Sequence, residues 1–152
     1  MKPGEKIAPF SAPDQSGATV TSDELLAAGP LVLFFYPKAG TSGCTAESCH
    51  FRDLGGEFER LGAARAGISA DGVEAQARFD GRHGFGYPLL SDPDRSIAKA
   101  FGVKRAGPLP NRRATFVIDG DGTVLEVISS ETKMDLHADR ALEVLATRGA
   151  RG

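Results

Sequence analysis

The stretch LVLFFYPKAGTSGCTAESC, residues 31–49, decides the fold because it joins a buried strand directly to a helix. Residues 31–36 form an uninterrupted apolar run, which predicts a buried strand. A helical pattern begins near Ser42 or Gly43, so Cys44 falls in the first turn of the predicted helix. The backbone dipole is positive at this end of a helix and stabilises a thiolate over a thiol. The sequence therefore predicts one reactive sulfur where the strand meets the helix.

The second sulfur of the chain, Cys49, follows Cys44 after five residues, and the sequence contains no further cysteine. In a regular helix the two Cα atoms would lie roughly 8–9 Å apart, whereas a disulfide requires a separation below about 7 Å. Cys49 would also point outward or sideways, because it is turned by roughly 140° from Cys44 around the helix axis. Pairing of the two sulfurs would therefore require this turn to unwind. The double glycine at 55–56 would lower the cost of unwinding, since glycine weakens a helix.

The hydrophobic pattern predicts strands that alternate with helices. The first thirty residues indicate an extended arm with a short hairpin, and DGDG at 119–122 predicts a hairpin turn. This order is typical of an α/β protein with a mixed central sheet flanked by helices. We expect a single domain over residues 1–152, with a frayed tail at 148–152. The predicted strands cover 31–36, 64–69, 88–91 (a short strand or turn), 113–118 and 123–128, and the predicted helices cover 22–26, 42–61, 71–82, 94–101 and 135–146.

Composition and charge exclude several classes of function. Hydrophobic residues make up 41% of the chain and charged residues 25%, and the net charge is −2, so nothing indicates nucleic acid or an anionic membrane as a partner. No apolar run approaches the roughly 18 residues of a transmembrane helix. The segment 1–6 leads into no apolar signal core, so we expect a cytoplasmic protein. The cytoplasm keeps thiols reduced, and a bond between the two cysteines would therefore be transient and functional.

A stabilised thiolate with a second thiol nearby is the arrangement expected for peroxide chemistry. The thiolate attacks the O–O bond and becomes a sulfenic acid, and the second thiol condenses with the sulfenic acid and releases water. Cys44 would need hydrogen-bond donors that stabilise its charge and position the peroxide oxygens. Thr41 supplies a hydroxyl three residues earlier. A guanidinium from elsewhere in the fold would also serve, because it is always charged.

The run at 35–45, with its Pro-x-x-x-Thr-x-x-Cys spacing, resembles the active-site signature of the peroxiredoxins. Cys49 resembles the resolving cysteine of the Q-type subfamily, whose members are also called bacterioferritin comigratory proteins. The resemblance covers most of the chain and includes further segments in the same order. These segments are 51–53, 68–71, 89–94 and 113–119.

The resemblance implies a thioredoxin-like fold and thiol peroxidase activity on hydrogen peroxide and organic hydroperoxides. It implies that Cys44 is the peroxidatic cysteine and that Thr41 and Arg113 contact the thiolate and the peroxide. Thioredoxin or a similar dithiol would be the reductant, and no metal or organic cofactor is implied. Q-type members are often monomers and this chain lacks a long C-terminal arm, so we expect a monomer, with a dimer as the alternative.

Three further positions have supporting roles by the same resemblance. Pro37 matches the proline that shields the site, Gly43 precedes the reactive cysteine, and Glu47 matches a helix carboxylate that orients the arginine. The chain departs from the subfamily at Ser42, where proline is common, and at 55–56, where bulkier helix formers are usual. Ser42 is itself a good residue for capping a helix.

Other interpretations of the same residues remain open at this stage. Cys44 could be only a small buried hydrophobe, and Glu47 only a favourable charge near a helix start. A zinc site would combine the cysteines with the three histidines, but the Cys-x4-Cys spacing is not typical of zinc ligands. A thiol-disulfide oxidoreductase of the same fold would use Cys-x-x-Cys, which is absent. A non-catalytic chaperone or protein-binding module would leave Cys44, Thr41 and Arg113 without a purpose.

Overall fold

The computed structural model describes residues 1–151, with side chains up to Arg148. None of the helices in this part of the chain combines the length and apolar character needed to cross a membrane. The strands are β1 (Ser11–Pro13), β2 (Thr19–Thr21), β3 (Leu31–Phe35), β4 (Ala64–Ser69), β5 (Leu89–Ser91), β6 (Ala114–Ile118) and β7 (Val124–Ser129). The helices are α1 (Ser22–Leu26), α2 (Ser42–Asp53), α3 (Gly55–Arg60), α4 (Val73–His83), α5 (Ser96–Ala100) and α6 (Met134–Arg151).

A five-stranded mixed sheet in the order β5-β4-β3-β6-β7 forms the centre of the fold. β3 pairs in parallel with β4 and antiparallel with β6, and β6 and β7 form the predicted C-terminal hairpin. β1 and β2 form a separate antiparallel hairpin, which confirms the predicted N-terminal arm. All five residues of β3 are buried because helices cover both faces of the sheet.

The predicted elements are found with small shifts, and the largest difference concerns the helix predicted over 42–61. It divides at Leu54 into α2 and α3, directly before the double glycine at 55–56. α6 is described to Arg151, and the predicted fraying of 148–152 falls partly outside the described residues and stays a prediction. The expectation of a single domain likewise stays a prediction.

Two apolar layers cover the central sheet because the side chains of β3 alternate between its faces. Leu33 and Phe35 belong to the layer that includes α1 and α5. Val32 and Phe34 belong to the layer formed with α2, α4 and α6. Phe34 stacks on Phe51 of α2, with the ring centroids 4.2 Å apart. This contact fixes α2 against the sheet, so the first turn of α2 lies beyond the carboxyl end of β3.

Gly67 of β4 is closely surrounded by side chains of the layer that includes α2. A Cβ atom at this position would lie 2.9 Å from Phe34 Cζ, 3.0 Å from Tyr36 Cε1 and 3.2 Å from Leu89 Cδ2. We expect Gly67→Ala to lower the free energy of unfolding by about 1–3 kcal/mol, the usual cost of adding atoms to a closely packed core. Urea denaturation of the variant and the natural chain measures this difference.

Gly81 provides a matched control for this substitution. It is exposed within α4, and a Cβ atom there would meet nothing within 4 Å. Gly81→Ala should therefore raise the free energy of unfolding by about 0.5–1 kcal/mol, because alanine favours the helix. A Gly67→Ala protein as stable as the natural chain would show that the aromatic side chains around β4 are not closely packed.

Candidate active site

Cys44 lies in the first turn of α2, just after the loop that leaves β3. α2 begins at Ser42, and Thr41 is its N-cap residue in an extended conformation. The Cys44 side chain is fully buried and packs in the same apolar layer as Phe51. The unpaired backbone N–H groups of a first helical turn and the helix dipole both favour a negative charge on the sulfur. The structure thus places Cys44 where the sequence predicts a reactive thiol.

Arg113 reaches Cys44 because β6 pairs with β3. Phe35 at the end of β3 lies opposite Ala114, so Arg113 lies at the sheet end from which α2 begins. Its Nη2 donates a hydrogen bond to Cys44 Sγ over 3.3 Å, and its Nη1 donates to Glu47 Oε1 over 2.7 Å. Burial lowers the pKa of Arg113, but the negative charges of Glu47 and Cys44 outweigh burial and leave that pKa above its ordinary value. Arg113 is therefore a buried, permanently charged partner of the sulfur.

Glu47 lies one turn after Cys44 and is fully buried. Burial raises the pKa of Glu47 to about 7, although the charge of Arg113 opposes the shift. Its Oε1 accepts a hydrogen bond from Arg113, whereas its Oε2 has no hydrogen-bond partner among the described side chains and backbone. The carboxyl group is thus placed to orient the guanidinium and titrates near neutral pH.

His137 of α6 belongs to the same cluster, although it was not predicted as a site residue. It is fully buried. Its Nδ1 lies 3.5 Å from Glu47 Oε2 and 2.8 Å from Thr115 Oγ1, and its Nε2 lies 2.9 Å from the Ser130 carbonyl oxygen. The sequence carries one signal, because His137 lies four residues before Ala141 and such a spacing places both on one helical face. The structure shows that this face is buried, since Ala141 is also fully buried.

The loop before α2 carries two of the predicted site residues. Thr41 is exposed, and its hydroxyl donates a hydrogen bond to the Lys38 carbonyl over 2.9 Å rather than to Cys44. Pro37 is half-buried at the start of this loop. A hydroxyl that donates a hydrogen bond to a carbonyl can still accept another hydrogen bond at its oxygen. Thr41 therefore remains able to accept a hydrogen bond from a bound molecule.

Gly43 allows other side chains to approach the first turn of α2. A Cβ atom there would lie 3.3 Å from Arg113 Nη2 and 3.5 Å from Met134 Cε. A larger residue would push the guanidinium away from the sulfur or displace Met134. Met134, at the start of α6, is a further neighbour of the site and was not predicted as one.

Cys49 lies on the same uninterrupted helix as Cys44, and both thiols are free. Cys49 is half-buried at the edge of the apolar layer, which agrees with its predicted sideways orientation. Helical geometry separates the two Cα atoms by roughly 8–9 Å, so the sulfurs cannot bond while α2 is intact. The next residue, His50, joins α2 to α6, because its Nε2 lies 2.7 Å from Asp139 Oδ1.

Two side chains from outside α2 bind the carbonyl groups of its second half. The Tyr87 hydroxyl donates to the Ser48 carbonyl over 2.7 Å, and Arg65 Nη1 donates to the Phe51 carbonyl over 2.8 Å. Arg65 also lies over the Tyr87 ring, 5.0 Å from its centroid. A Cβ atom at Gly55 would lie 3.1 Å from Arg65 Nη2, so glycine at this position lets Arg65 reach the end of α2.

The zinc interpretation finds no support in the geometry of the described part of the chain. Within residues 1–151 no group of three or more His, Cys, Asp or Glu side chains is arranged to hold a metal ion. His50 is instead paired with Asp139, and His137 with Thr115 and Ser130.

A cysteine in the first turn of a helix, hydrogen-bonded to a buried arginine, has the electropositive environment of a reactive thiol. Together with the mixed sheet flanked by helices, it indicates a thiol-based redox protein of thioredoxin-like fold. Sequence similarity identifies the family within this class. Residues 3–127 match the AhpC/TSA family, and the chain belongs to that family.

Several proteins that match nearly the whole chain are named as peroxiredoxins or as bacterioferritin comigratory proteins. The crystal structure of peroxidoxin BcpB from Mycobacterium tuberculosis superposes with a TM-score of 0.94, is 53% identical, and is matched over 97% of both chains. A structure of the bacterioferritin comigratory protein of Xanthomonas campestris superposes with a TM-score of 0.85, at 32% identity over 91% of both chains. The chloroplastic peroxiredoxin Q of Sedum lineare is 35% identical over 144 residues, which are 93% of this chain and 76% of the plant protein.

These findings confirm the thioredoxin-like fold and the resemblance to the Q-type subfamily. The protein is a peroxiredoxin, a thiol-dependent peroxidase whose substrate is a peroxide and whose reductant is of the thioredoxin type.

Proposed function

We propose that Cys44 is the peroxidatic cysteine and that Arg113 and Thr41 position the peroxide. The observation that carries this proposal is the 3.3 Å hydrogen bond from Arg113 Nη2 to the buried Cys44 Sγ. A fixed positive charge beside the sulfur stabilises the thiolate, and the same guanidinium can stabilise the charge that develops on the leaving oxygen. The Thr41 hydroxyl donates its hydrogen bond to the Lys38 carbonyl, so its oxygen accepts the O–H of the incoming peroxide and orients it.

The first step oxidises Cys44 and reduces the peroxide. A lone pair of the thiolate attacks one peroxide oxygen and forms an S–O bond, while the O–O bond breaks. The leaving oxygen takes both electrons of that bond and one proton, so that hydrogen peroxide yields water and an organic hydroperoxide yields an alcohol. Cys44 is left as a sulfenic acid. Pro37 supports this step by shielding the site. Gly43 leaves room for the guanidinium, and Glu47 orients it.

Cys49 then resolves the sulfenic acid. Its thiol attacks Cys44 Sγ, a disulfide forms and water leaves. This step requires the first part of α2 to unwind, because the intact helix keeps the sulfurs apart. A dithiol such as thioredoxin returns both cysteines to thiols. The proposal also names hydrogen peroxide and organic hydroperoxides as the substrates and thioredoxin as the electron donor. It further states that the protein is a monomer of one domain and lies in the cytoplasm.

The test of this function is peroxide consumption by the reduced protein, with thioredoxin and its reductase as the electron supply. A thiol-disulfide oxidoreductase would instead reduce a disulfide substrate when no peroxide is present. A chaperone would suppress aggregation of a client protein equally well after Cys44→Ser. The proposal would be refuted if the intact chain did not turn over peroxide with any of several dithiol donors.

Replacement of Cys49 by serine separates the two chemical steps. We expect Cys49→Ser to consume about one equivalent of peroxide per chain and then stop, because Cys44 forms a sulfenic acid that has no intramolecular partner. The mass of the product should increase by one oxygen, whereas the natural chain should lose the two thiol hydrogens and form a disulfide. Full cycling of Cys49→Ser with thioredoxin would show that Cys49 is not the resolving cysteine.

A further inference from the structure

Behind Arg113 lies a second layer of buried polar groups, contributed by three different elements. Glu47 comes from α2, Thr115 from β6 and His137 from α6, and all three are fully buried. None of these side chains reaches the sulfur directly. Glu47 is the only one of the three that contacts Arg113, through the 2.7 Å hydrogen bond to its Oε1. The chain of polar contacts from His137 to Cys44 therefore runs through Glu47 and Arg113, beside a direct electrostatic effect between His137 and Arg113.

The hydrogen bonds of His137 define where its proton lies. The Ser130 carbonyl, 2.9 Å from Nε2, can only accept, so Nε2 carries a hydrogen. In the neutral ring Nδ1 is then bare, and it accepts from the Thr115 hydroxyl 2.8 Å away. Burial and the nearby charge of Arg113 lower the pKa of His137, which favours this neutral form.

Glu47 Oε2 faces this bare nitrogen at 3.5 Å and has no hydrogen-bond partner. If Glu47 were a carboxylate and His137 neutral, Oε2 would be a buried, charged oxygen without a donor, beside an Nδ1 that already accepts from Thr115, which is unfavourable. One proton between Oε2 and Nδ1 supplies the missing donor and forms a hydrogen bond. The Thr115 hydroxyl can adapt to either location of the proton, because it rotates and serves as donor or acceptor.

We propose that His137 is a positioning residue that shares one proton with Glu47, and that this shared proton sets how much of the Arg113 charge is available to Cys44. With the proton present, the Glu47–His137 pair is neutral overall and Arg113 is offset only by the thiolate. Without it, the pair carries one negative charge, which competes with the thiolate for the guanidinium. The proposal deepens the function proposed above, since its effect on rate rests on Cys44 being the peroxidatic cysteine.

Other charged groups near the pair have partners of their own. Glu131, in the loop before α6, accepts the backbone N–H of Arg113 over 2.9 Å and lies 3.5 Å from Arg105 Nη2. Its negative charge raises the pKa of both Glu47 and His137, so it favours retention of the shared proton. Cys44 on α2 is the remaining group, and its hydrogen bond with Arg113 connects it to the pair.

The first arm of the test observes His137 directly and needs no catalysis. In the reduced natural chain, labelled with 15N in its histidines, the ring nitrogen signals of His137 should change as the pH rises through about 7, when the pair loses its proton. In Glu47→Gln this step should vanish, because the amide cannot ionise. Signals of His137 that stay constant through this range in the folded natural chain would overturn the proposal, whatever the peroxidase activity.

The second arm measures the pH profile of the first peroxide reaction. In the natural chain, the rate constant per thiolate should fall as the pH rises and the shared proton is lost. In His137→Gln, the midpoint of this decrease should lie about one pH unit lower, which is a tenfold change in the proton equilibrium. In the Glu47→Gln background, His137→Gln should no longer move the profile. An equal displacement in both backgrounds would show that His137 does not act through Glu47 and would overturn the proposal.

His83→Gln is the matched control for both arms. This half-buried histidine packs against the Phe79 and Phe85 rings and does not contact Glu47. Its replacement should move neither the His137 signals nor the pH profile. If His83→Gln displaces the profile as much as His137→Gln does, the effect comes from a general loss of packing and the proposal fails.

Discussion

Replacement of Cys44 by serine is expected to abolish peroxide turnover and leave only the rate without enzyme. The hydroxyl of serine is not ionised at neutral pH and, without an adjacent general base, does not attack a peroxide. The change is nearly isosteric in a fully buried position, so the Phe34–Phe51 contact that fixes α2 should persist. Peroxide consumption with a thioredoxin system measures the loss. The mass of the protein after one equivalent of peroxide should also stay unchanged.

Cys49→Ser is the control for this loss, because it removes the other thiol from the same helix and should still react with peroxide once. The circular dichroism and thermal transition of both variants should match those of the natural chain. Residual turnover of Cys44→Ser above the rate without enzyme would contradict the assignment of Cys44. It would then direct the search for the reactive group to Cys49.

Replacement of Arg113 by glutamine is expected to lower the rate constant of the first peroxide reaction by about 10²–10³, the usual effect of removing one preorganised donor from a developing charge. The variant loses the hydrogen bonds to Cys44 and to Glu47 at once. It also leaves Glu47 without its buried cation, which should destabilise the fold by about 3–5 kcal/mol if the carboxylate stays ionised. Protonation of Glu47 would reduce that cost, so the loss of stability should be larger at alkaline pH.

Arg112 offers a matched control, because it is the same residue type one position earlier and is exposed. Arg112→Gln should change neither the rate constant nor the free energy of unfolding by a measurable amount. Stopped-flow mixing of reduced protein with peroxide gives the rate constant, and the ultraviolet absorbance of the thiolate gives the ionised fraction of Cys44. Equal rate constants for Arg113→Gln and Arg112→Gln would show that the Arg113 guanidinium does not take part in the peroxide reaction.

Local pattern was sufficient to predict the position of Cys44. The apolar run and the helical spacing lie within 31–49, so the strand, the helix start and the cysteine between them follow from neighbouring residues. Local pattern could not predict the contact between Arg113 and Cys44, because 69 positions separate the two residues. The contact depends on antiparallel pairing of β6 with β3, and the sequence pattern alone does not reveal which strands pair. The resemblance to a known family, rather than periodicity, selected Arg113.

His137 could not be identified as a site residue from the sequence. A histidine on an amphipathic helix is compatible with surface or core, and only the packing of α6 against α2 shows that it faces Glu47. In the sequence, the glycine at 55 appeared as a residue that weakens a helix and as a departure from the subfamily. The structure gives it a physical reason, since Arg65 occupies the space that a larger side chain would need.

Tyr87 and Arg65, which bind the Ser48 and Phe51 carbonyls, have a consequence for how the enzyme recovers after each cycle. Starting a helix is unfavourable because several residues must be ordered for one hydrogen bond, whereas extending an existing helix adds one bond per ordered residue. In the proposed cycle, the bound half of α2 can remain helical while about two turns before it come apart. Once the sulfurs are reduced, this half would act as a template, and the unwound turns would regrow from it without a new nucleation event.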